Sequence, residues 1–256
     1  MKISIIIPTY KRTDYLERLL HSIQQQTFKD FEVIVVDDCS PNQDEYKVVI
    51  DKYSKIFNEF SFYSNSKNSG APHSRNKGIR KAKYDYVALV DDDDEWYSEK
   101  LEHQVKIIEK EPDTDFVYTW ADAIDEAGNT VYQFRKVIEG NPKYEILKGC
   151  FVPSSSVMIR KKTLIENGLF DEQLPSCQDW DMWTRMVLNG AKMKVVQNVD
   201  TIYYKHNNGT IGLSPKAYKG YMIYFRKHFL SALKVNPILP MYYIYQGIRI
   251  WWRKKA

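Results

Sequence analysis

Cysteine is scarce: Cys39, Cys150 and Cys177 are the only three in 256 residues. An odd number with no CxxC pair argues against a disulfide framework or a zinc site. A reducing cytoplasm is the expected setting. Long apolar runs are also missing. Ile5-Ile6-Ile7 ends at Pro8, far short of a signal-peptide core, and no small-residue cleavage site follows. No stretch of about 18–20 apolar residues occurs, so no membrane span is expected.

Acidic residues are absent from Thr201 onward, where ten basic residues stand. The first 200 residues hold 27 basic and all 33 acidic groups, so the formal net charge of +4 conceals two halves of opposite sign. The same last fifth carries 12 of the 36 aromatics, among them Tyr242, Tyr243, Tyr245, Trp251 and Trp252. Basic residues interleaved with Trp and Tyr suit an anionic membrane surface, where amphipathic rings sit at headgroup level. A tail packed on the protein's own core, with lysines for solubility, is the alternative. The aromatic tail suits a dimer contact equally, so no oligomeric state follows from it. Nucleic acid is not expected as a partner, since no groove-reading motif accompanies the basic residues.

What remains is ordinary globular composition, 43% hydrophobic and 27% charged, which excludes disordered and fibrous classes. The length suits one domain, with or without a short appendage.

Lys2 to Ile7 is a continuous apolar, β-branched run, the pattern of a strand buried on both faces. Thr13 is placed to cap a helix carrying Leu16, Leu19, Leu20 and Ile23. Phe31 to Val36 reads as a second strand, Asp44 to Phe57 as a helix and Phe60 to Tyr63 as a short strand. Ser74 to Lys83 reads as a helix, and Tyr86 to Val90 as a fourth strand. This alternation predicts an α/β fold with a mostly parallel sheet flanked by helices. Farther on, a strand is expected from Asp115 to Ala123, then a turn at Glu126 to Asn129 leading to another strand. A helix is expected from Gln178 to Asn189.

Ligands of parallel sheets bind beyond the carboxyl ends of the strands. Three such ends carry polar clusters: Pro8-Thr9-Tyr10, Asp37-Asp38, and Asp91 to Asp94. All three are therefore expected to line one crevice. Four adjacent carboxylates repel strongly unless a positive charge neutralises them. Mn²⁺ or Mg²⁺, held by one or two carboxylates plus substrate phosphates, fits that cluster; a solvated acidic loop is the alternative. The D-x-D-x-D-G spacing of a calcium loop is absent.

Together these motifs resemble family 2 glycosyltransferases, inverting nucleotide-sugar enzymes with the glycosyltransferase-A fold. The matching blocks are Ser4 to Tyr10, Gln26 to Ser40, Asn68-Ser69-Gly70 with Ser74 to Ile79, Asp91 to Trp96 with Lys100-Leu101-Glu102, Phe170-Asp171-Glu172, and Gln178 to Trp183. They occur in the family's order over roughly residues 1–206. The resemblance implies a catalytic domain over 1–213, with a nucleotide-binding half to about 112 and an acceptor half from about 113. Residues 214–256 would form a helical extension.

It also implies roles. Pro8, Thr9 and Tyr10 belong to the nucleotide loop, with Tyr10 stacking on the base and Asp38 accepting the base's ring N–H. Asp93 contacts ribose and metal, and Asp94 ligates the metal that bridges the diphosphate. Asp91 completes the D-x-D-D pattern. Arg75 is the cation near the diphosphate, Asp179 is the catalytic base, and His206 joins the metal or diphosphate. Each residue also has a simpler role: Asp38 a helix cap, Arg75 a surface ion pair, Asp179 a favoured acid in a helix's first turn, His206 a structural imidazole. One departure is visible, Gln178 where the family commonly carries Glu.

The implied reaction moves a sugar from a nucleotide sugar, with UDP the expected nucleotide, to a hydroxyl of a glycan or lipid-linked saccharide in surface polysaccharide synthesis. A peripheral position on the inner face of the cell membrane would suit that acceptor. Two alternatives stand beside it. One is a non-catalytic nucleotide-sugar or glycan-binding module, favoured only by Gln178. The other is a sugar-phosphate nucleotidyltransferase, disfavoured because Pro8 to Arg12 contains no glycine.

Overall fold

The computed structural model describes residues 1–205 and 215–253. Its centre is a nine-stranded sheet. Strands β1 (Ile3–Thr9) and β2 (Phe31–Asp37) are buried at every position, as their unbroken β-branched runs require. Together with β3 (Phe60–Ser64) and β4 (Tyr86–Leu89) they form a parallel unit in the order β3-β2-β1-β4.

Beyond β4 the sheet becomes mixed. β5 (Glu95–Trp96), β6 (Phe116–Ile124), β7 (Thr130–Phe134), β8 (Val157–Arg160) and β9 (Met193–Tyr204) add antiparallel pairs and one parallel pair, β6 with β9. The sheet as a whole is thus mixed, with parallel order concentrated in the nucleotide-binding half expected from sequence.

Helices cover both faces. α1 (Thr13–Gln24), α2 (Gln43–Tyr53) and α4 (Lys100–Lys110) pack on Ile3, Ile5, Ile7, Val33 and Val35. On the other face Ile6, Ile34 and Val36 meet α3 (Ala71–Lys81), and the same core continues through α5 (Lys143–Lys148), α6 (Lys161–Glu166) and α7 (Gln178–Leu188). The split between Ile5 and Ile6 is the period of two that a strand imposes. α3 lies close enough to the sheet that a Cβ on Gly78 would stand 2.4 Å from Ile6 Cγ2.

Two helix starts differ from the reading above. Thr13 does not cap α1: Arg12 is the cap residue, and the Thr13 hydroxyl donates instead to Glu45 Oε2 at 2.9 Å, tying α1 to α2. α3 begins at Ala71, three residues early, because Gly70 turns the chain at φ 89° and Pro72 suits a first helical turn.

Helices α8 (Pro215–Val235) and α9 (Leu239–Arg253) form a hairpin. One side of it joins the core through Tyr221, Tyr224, Phe225, Leu239 and Tyr243. No helix among the described residues is long and apolar enough to cross a membrane.

Candidate active site

The carboxyl ends of β1, β2 and β4 open into one cleft of about 710 Å³. Pro8, Thr9, Tyr10, Asp38, Arg75, Asp91, Asp92, Asp93 and Asp179 all line it. Backbone strain gathers at its rim. Lys11 follows β1 at φ 59°, Cys39 follows β2 at φ 64°, and Cys177 precedes α7 at φ 59°. Left-handed non-glycine residues are costly and persist where surrounding structure holds them.

The polar residues at the ends of β1 and β2 have distinct settings. Tyr10 is exposed at the mouth, with Lys11 Nζ 4.9 Å from its ring centroid. Thr9 is buried, its hydroxyl 2.7 Å from the Tyr46 hydroxyl of α2. Asp38 is buried and does not cap a helix. Its carboxylate accepts from Asn65 Nδ2 at 2.8 Å, the Ser69 N–H at 2.9 Å and the Gly70 N–H at 2.7 Å, and so shapes the Asn68 to Gly70 loop. Asp37 points away from the cleft into a network of Ser40, Gln43 and Ser64.

The four aspartates of the acidic loop differ in their contacts. Asp91 accepts from Arg75 Nη2 at 2.5 Å. Arg12 reaches Asp92 at 3.2 Å and Asp93 at 2.5 Å. Burial raises the Asp92 carboxyl to about 7; Arg12 opposes that rise and Asp93 adds to it. Asp94 does not line the cleft. It is buried, accepts the Tyr204 N–H at 3.0 Å and the Ser155 hydroxyl, and burial with Asp93 and Asp91 nearby pushes its pKa well up. Asp94 therefore joins the loop to β9.

Arg75 connects the acidic loop with the start of α7. Its side chain is 6% exposed, and Nη1 lies 3.4 Å from Gln178 Oε1 and 3.6 Å from Asp179 Oδ1. Burial opposes the guanidinium charge, but Asp91 and Asp179 outweigh it and raise the pKa. On Asp179 burial acts first and raises the carboxyl; Arg75 opposes, Asp91 adds, and the net direction is upward. Asp179 Oδ1 is buried and accepts no hydrogen bond among the described residues. Gln178 supplies a neutral amide here, its Nε2 donating to Leu174 O at 2.9 Å.

The first turn of α7 and the segment before it are braced from three sides. Asn76 of α3 donates to Phe170 O at 2.8 Å and accepts from the Phe170 N–H at 2.9 Å. Trp180 stacks on Tyr224 of α8 with ring centroids 3.9 Å apart. Asp181 is fully buried between Arg185 at 2.8 Å, His228 at 2.8 Å and Lys227 at 3.0 Å. Burial alone would raise Asp181, yet His228, Arg185 and Lys227 bring its pKa down to about 2.

Sequence reading missed Arg12, Ser155 and Tyr204 as parts of this site. Arg12 follows the nucleotide loop by two residues, which was the available signal; the other two become neighbours of the acidic loop only through the late strands. His206 lies outside the described residues.

No cluster of three or more His, Cys, Asp or Glu that would cage a metal occurs among the described residues. Two cleft-facing carboxylates, Asp91 and Asp93, fit a hard divalent ion that takes its other ligands from a bound diphosphate and water.

Known proteins give the same grouping. Residues 4–170 match the family described as Glycosyl transferase family 2. The chain is 30% identical to the putative colanic acid biosynthesis glycosyl transferase WcaA of Escherichia coli K12, over 98% of this chain and 90% of WcaA. It is 29% identical to the putative teichuronic acid biosynthesis glycosyltransferase TuaG of Bacillus subtilis 168, over 90% of this chain and 91% of TuaG. Among solved structures, S. aureus TarS 1-349 in complex with UDP superposes with a TM-score of 0.70 at 27% identity, covering 89% of this chain. The match spans 65% of the TarS chain, a little under two thirds. A chain with this sheet, this cleft and a family match over more than half its length belongs to glycosyl transferase family 2 and is a glycosyltransferase.

Proposed function

We propose that this enzyme transfers a sugar, with inversion, from a UDP-sugar to a hydroxyl of a glycan or lipid-linked saccharide during surface polysaccharide assembly. The observation that carries the reading is Asp179: a buried carboxylate of raised pKa whose Oδ1 accepts no hydrogen bond among the described residues and lies 3.6 Å from the Arg75 guanidinium, facing a cleft lined by four further aspartates. UDP as the nucleotide draws support from the TarS complex. A polysaccharide acceptor draws support from the descriptions of WcaA and TuaG.

Tyr10 stacks on the base, and Asp38 accepts its ring N–H as one more donor beside those of the Asn68 to Gly70 loop. Pro8 and Thr9 set the floor beneath the nucleoside. Asp91 and Asp93 would hold Mn²⁺ or Mg²⁺, and the ion would supply positive charge to offset that on the leaving diphosphate. Asp93 also faces the ribose. Asp94 enters this scheme as the buried anchor of the acidic loop rather than as the cleft-facing ligand. Arg75 stabilises negative charge that develops on the departing diphosphate, in a buried setting where such interactions are strong.

Asp179 then takes the acceptor hydroxyl's proton as that oxygen attacks the anomeric carbon, whose transition state is oxocarbenium-like. The bond to the diphosphate oxygen breaks as the new glycosidic bond forms. One base suffices for a single displacement, and the configuration inverts. Gln178 beside Asp179 leaves Asp179 as the single acid at 178–179, so Arg75 is divided between Asp91 and Asp179 alone in its ion pairs among the described residues.

The test is UDP release from a panel of UDP-sugars with Mn²⁺ present. Turnover of at least one sugar, abolished by Asp179→Asn while UDP binding persists, supports the reading. UDP binding with no turnover of any sugar, and identical behaviour of Asp179→Asn, would favour a nucleotide-sugar-binding module instead.

A further inference from the structure

The α8–α9 hairpin is two-sided. Its inner side belongs to the core and to the active site: Ala217 and Tyr221 line the cleft, and a Cβ on Gly220 would stand 2.7 Å from Ser176 O and 2.8 Å from Ser176 N. Its outer side is apolar and exposed among the described residues. On α9, Met241 is 69% exposed, Ile244 63% and Ile248 53%, with Ile238 just before them at 69%. Their spacing of three and four residues places them on one face, while Leu239 and Tyr243 point inward.

On α8 the matching stripe is Met222, Phe229, Leu230 and Leu233, all exposed. Between the two stripes runs a groove of about 720 Å³, with Arg226 among the residues that line it. A contiguous apolar surface of this kind marks an interaction site.

Charge identifies the occupant. From Thr201 onward the chain has ten basic residues and no acid. Lys219, Arg226 and Lys234 of α8 are exposed along the hairpin. An acid-free helical pair with an apolar face and a basic flank complements an anionic lipid surface, with the apolar side chains entering the headgroup boundary. A second copy of the chain would set these cations against one another with no carboxylate of the hairpin to offset them.

We infer that the outer face of the α8–α9 hairpin docks the protein onto an anionic membrane surface. The docking itself is independent of the transferase reading. Its geometric consequence rests on that reading: α8 presents Tyr221 to the cleft and Met222 to the bilayer, so the acceptor side of the cleft opens next to the membrane, where a lipid-linked saccharide would sit.

The experiment is cosedimentation of the full chain with vesicles of phosphatidylcholine alone or with about 30% phosphatidylglycerol. The chain is expected to pellet with the anionic vesicles, to bind neutral ones weakly, and to be released as salt rises from about 0.1 M to about 0.5 M. Met241→Glu combined with Ile244→Glu changes only exposed positions and is expected to lower partitioning by at least ~10-fold. Arg226→Glu with Lys234→Glu, which leaves the apolar face intact, is expected to lower anionic binding alone. Unchanged binding of either double variant overturns the inference. So does a concentration-dependent dimer that the Met241/Ile244 variant dissociates while vesicles capture neither protein. Calorimetry of both variants with UDP reads the nucleotide site separately, so a failure of one reading is not mistaken for a failure of the other.

Discussion

Arg75 Nη1 lies 3.6 Å from Asp179 Oδ1, an oxygen that accepts no hydrogen bond among the described residues. The same guanidinium binds Asp91 at 2.5 Å. One buried cation thus connects the carboxylate of the acidic loop with the carboxylate assigned as base.

The pairing sets the pH response. Asp179 carries a raised pKa, caused first by burial and opposed by Arg75. The base works deprotonated, so kcat rises with pH through a midpoint above the ordinary carboxylate range. Arg75→Lys places a smaller, monodentate charge at the site, so that midpoint moves higher and kcat at neutral pH falls by roughly 10- to 100-fold. A pH–rate profile of both proteins checks it; an unchanged midpoint contradicts it.

Asp181 makes a separate contribution to stability. Its folded pKa of about 2 lies below its usual value of 3.8. The associated stability is therefore complete above the usual value and is lost as pH falls from there toward about 2. By linkage the shift corresponds to roughly 2 kcal/mol. Asp181→Asn leaves Arg185, Lys227 and His228 without their shared anion and is expected to cost about 3–5 kcal/mol. Thermal unfolding at neutral pH reads this as a Tm drop on the order of 10 °C, and a drop within error contradicts it.

Two glycines test close packing. Gly78→Ala forces a methyl to 2.4 Å from Ile6 Cγ2 and is expected to cost about 1–3 kcal/mol by overpacking. Gly220→Ala collides with the backbone of Ser176, three residues before Asp179. It is expected to lower kcat as well as Tm, whereas Gly78→Ala lowers Tm with kcat nearly kept. Parallel melting curves and donor-turnover assays distinguish the two.

Asp93 and Asp94 are expected to separate by phenotype. Asp93→Asn removes a cleft-facing carboxylate and should weaken Mn²⁺-dependent UDP binding by ~10-fold or more with little change in Tm. Asp94→Asn disturbs a buried link to Ser155 and Tyr204 and should lower Tm foremost. Equal Tm losses in the two variants would contradict this division.

The parallel half of the sheet was legible because its strands are buried on both faces, so Ile3 to Ile7 and Phe31 to Val36 read as unbroken apolar runs. Its polar strand ends then point to the cleft. The mixed half of the sheet was harder. β5 is two residues long, and β8 is four residues long and sits between β4 and β6, far away in sequence. Such pairings follow from tertiary packing, not local pattern. The same limit hid the different fates of the four adjacent aspartates: only the approach of Ser155 and Tyr204 takes Asp94 out of the cleft. Thr13, a good cap by type, was claimed by Glu45 on a neighbouring helix.

The most direct test of the nucleotide-sugar account is calorimetric titration of the full chain with UDP, first with Mn²⁺ and then with excess EDTA. Binding that is strong with Mn²⁺, falls at least ~10-fold with EDTA, and is lost on Asp38→Ala is the predicted result. No UDP binding under either condition, or binding indifferent to both EDTA and Asp38→Ala, would contradict it.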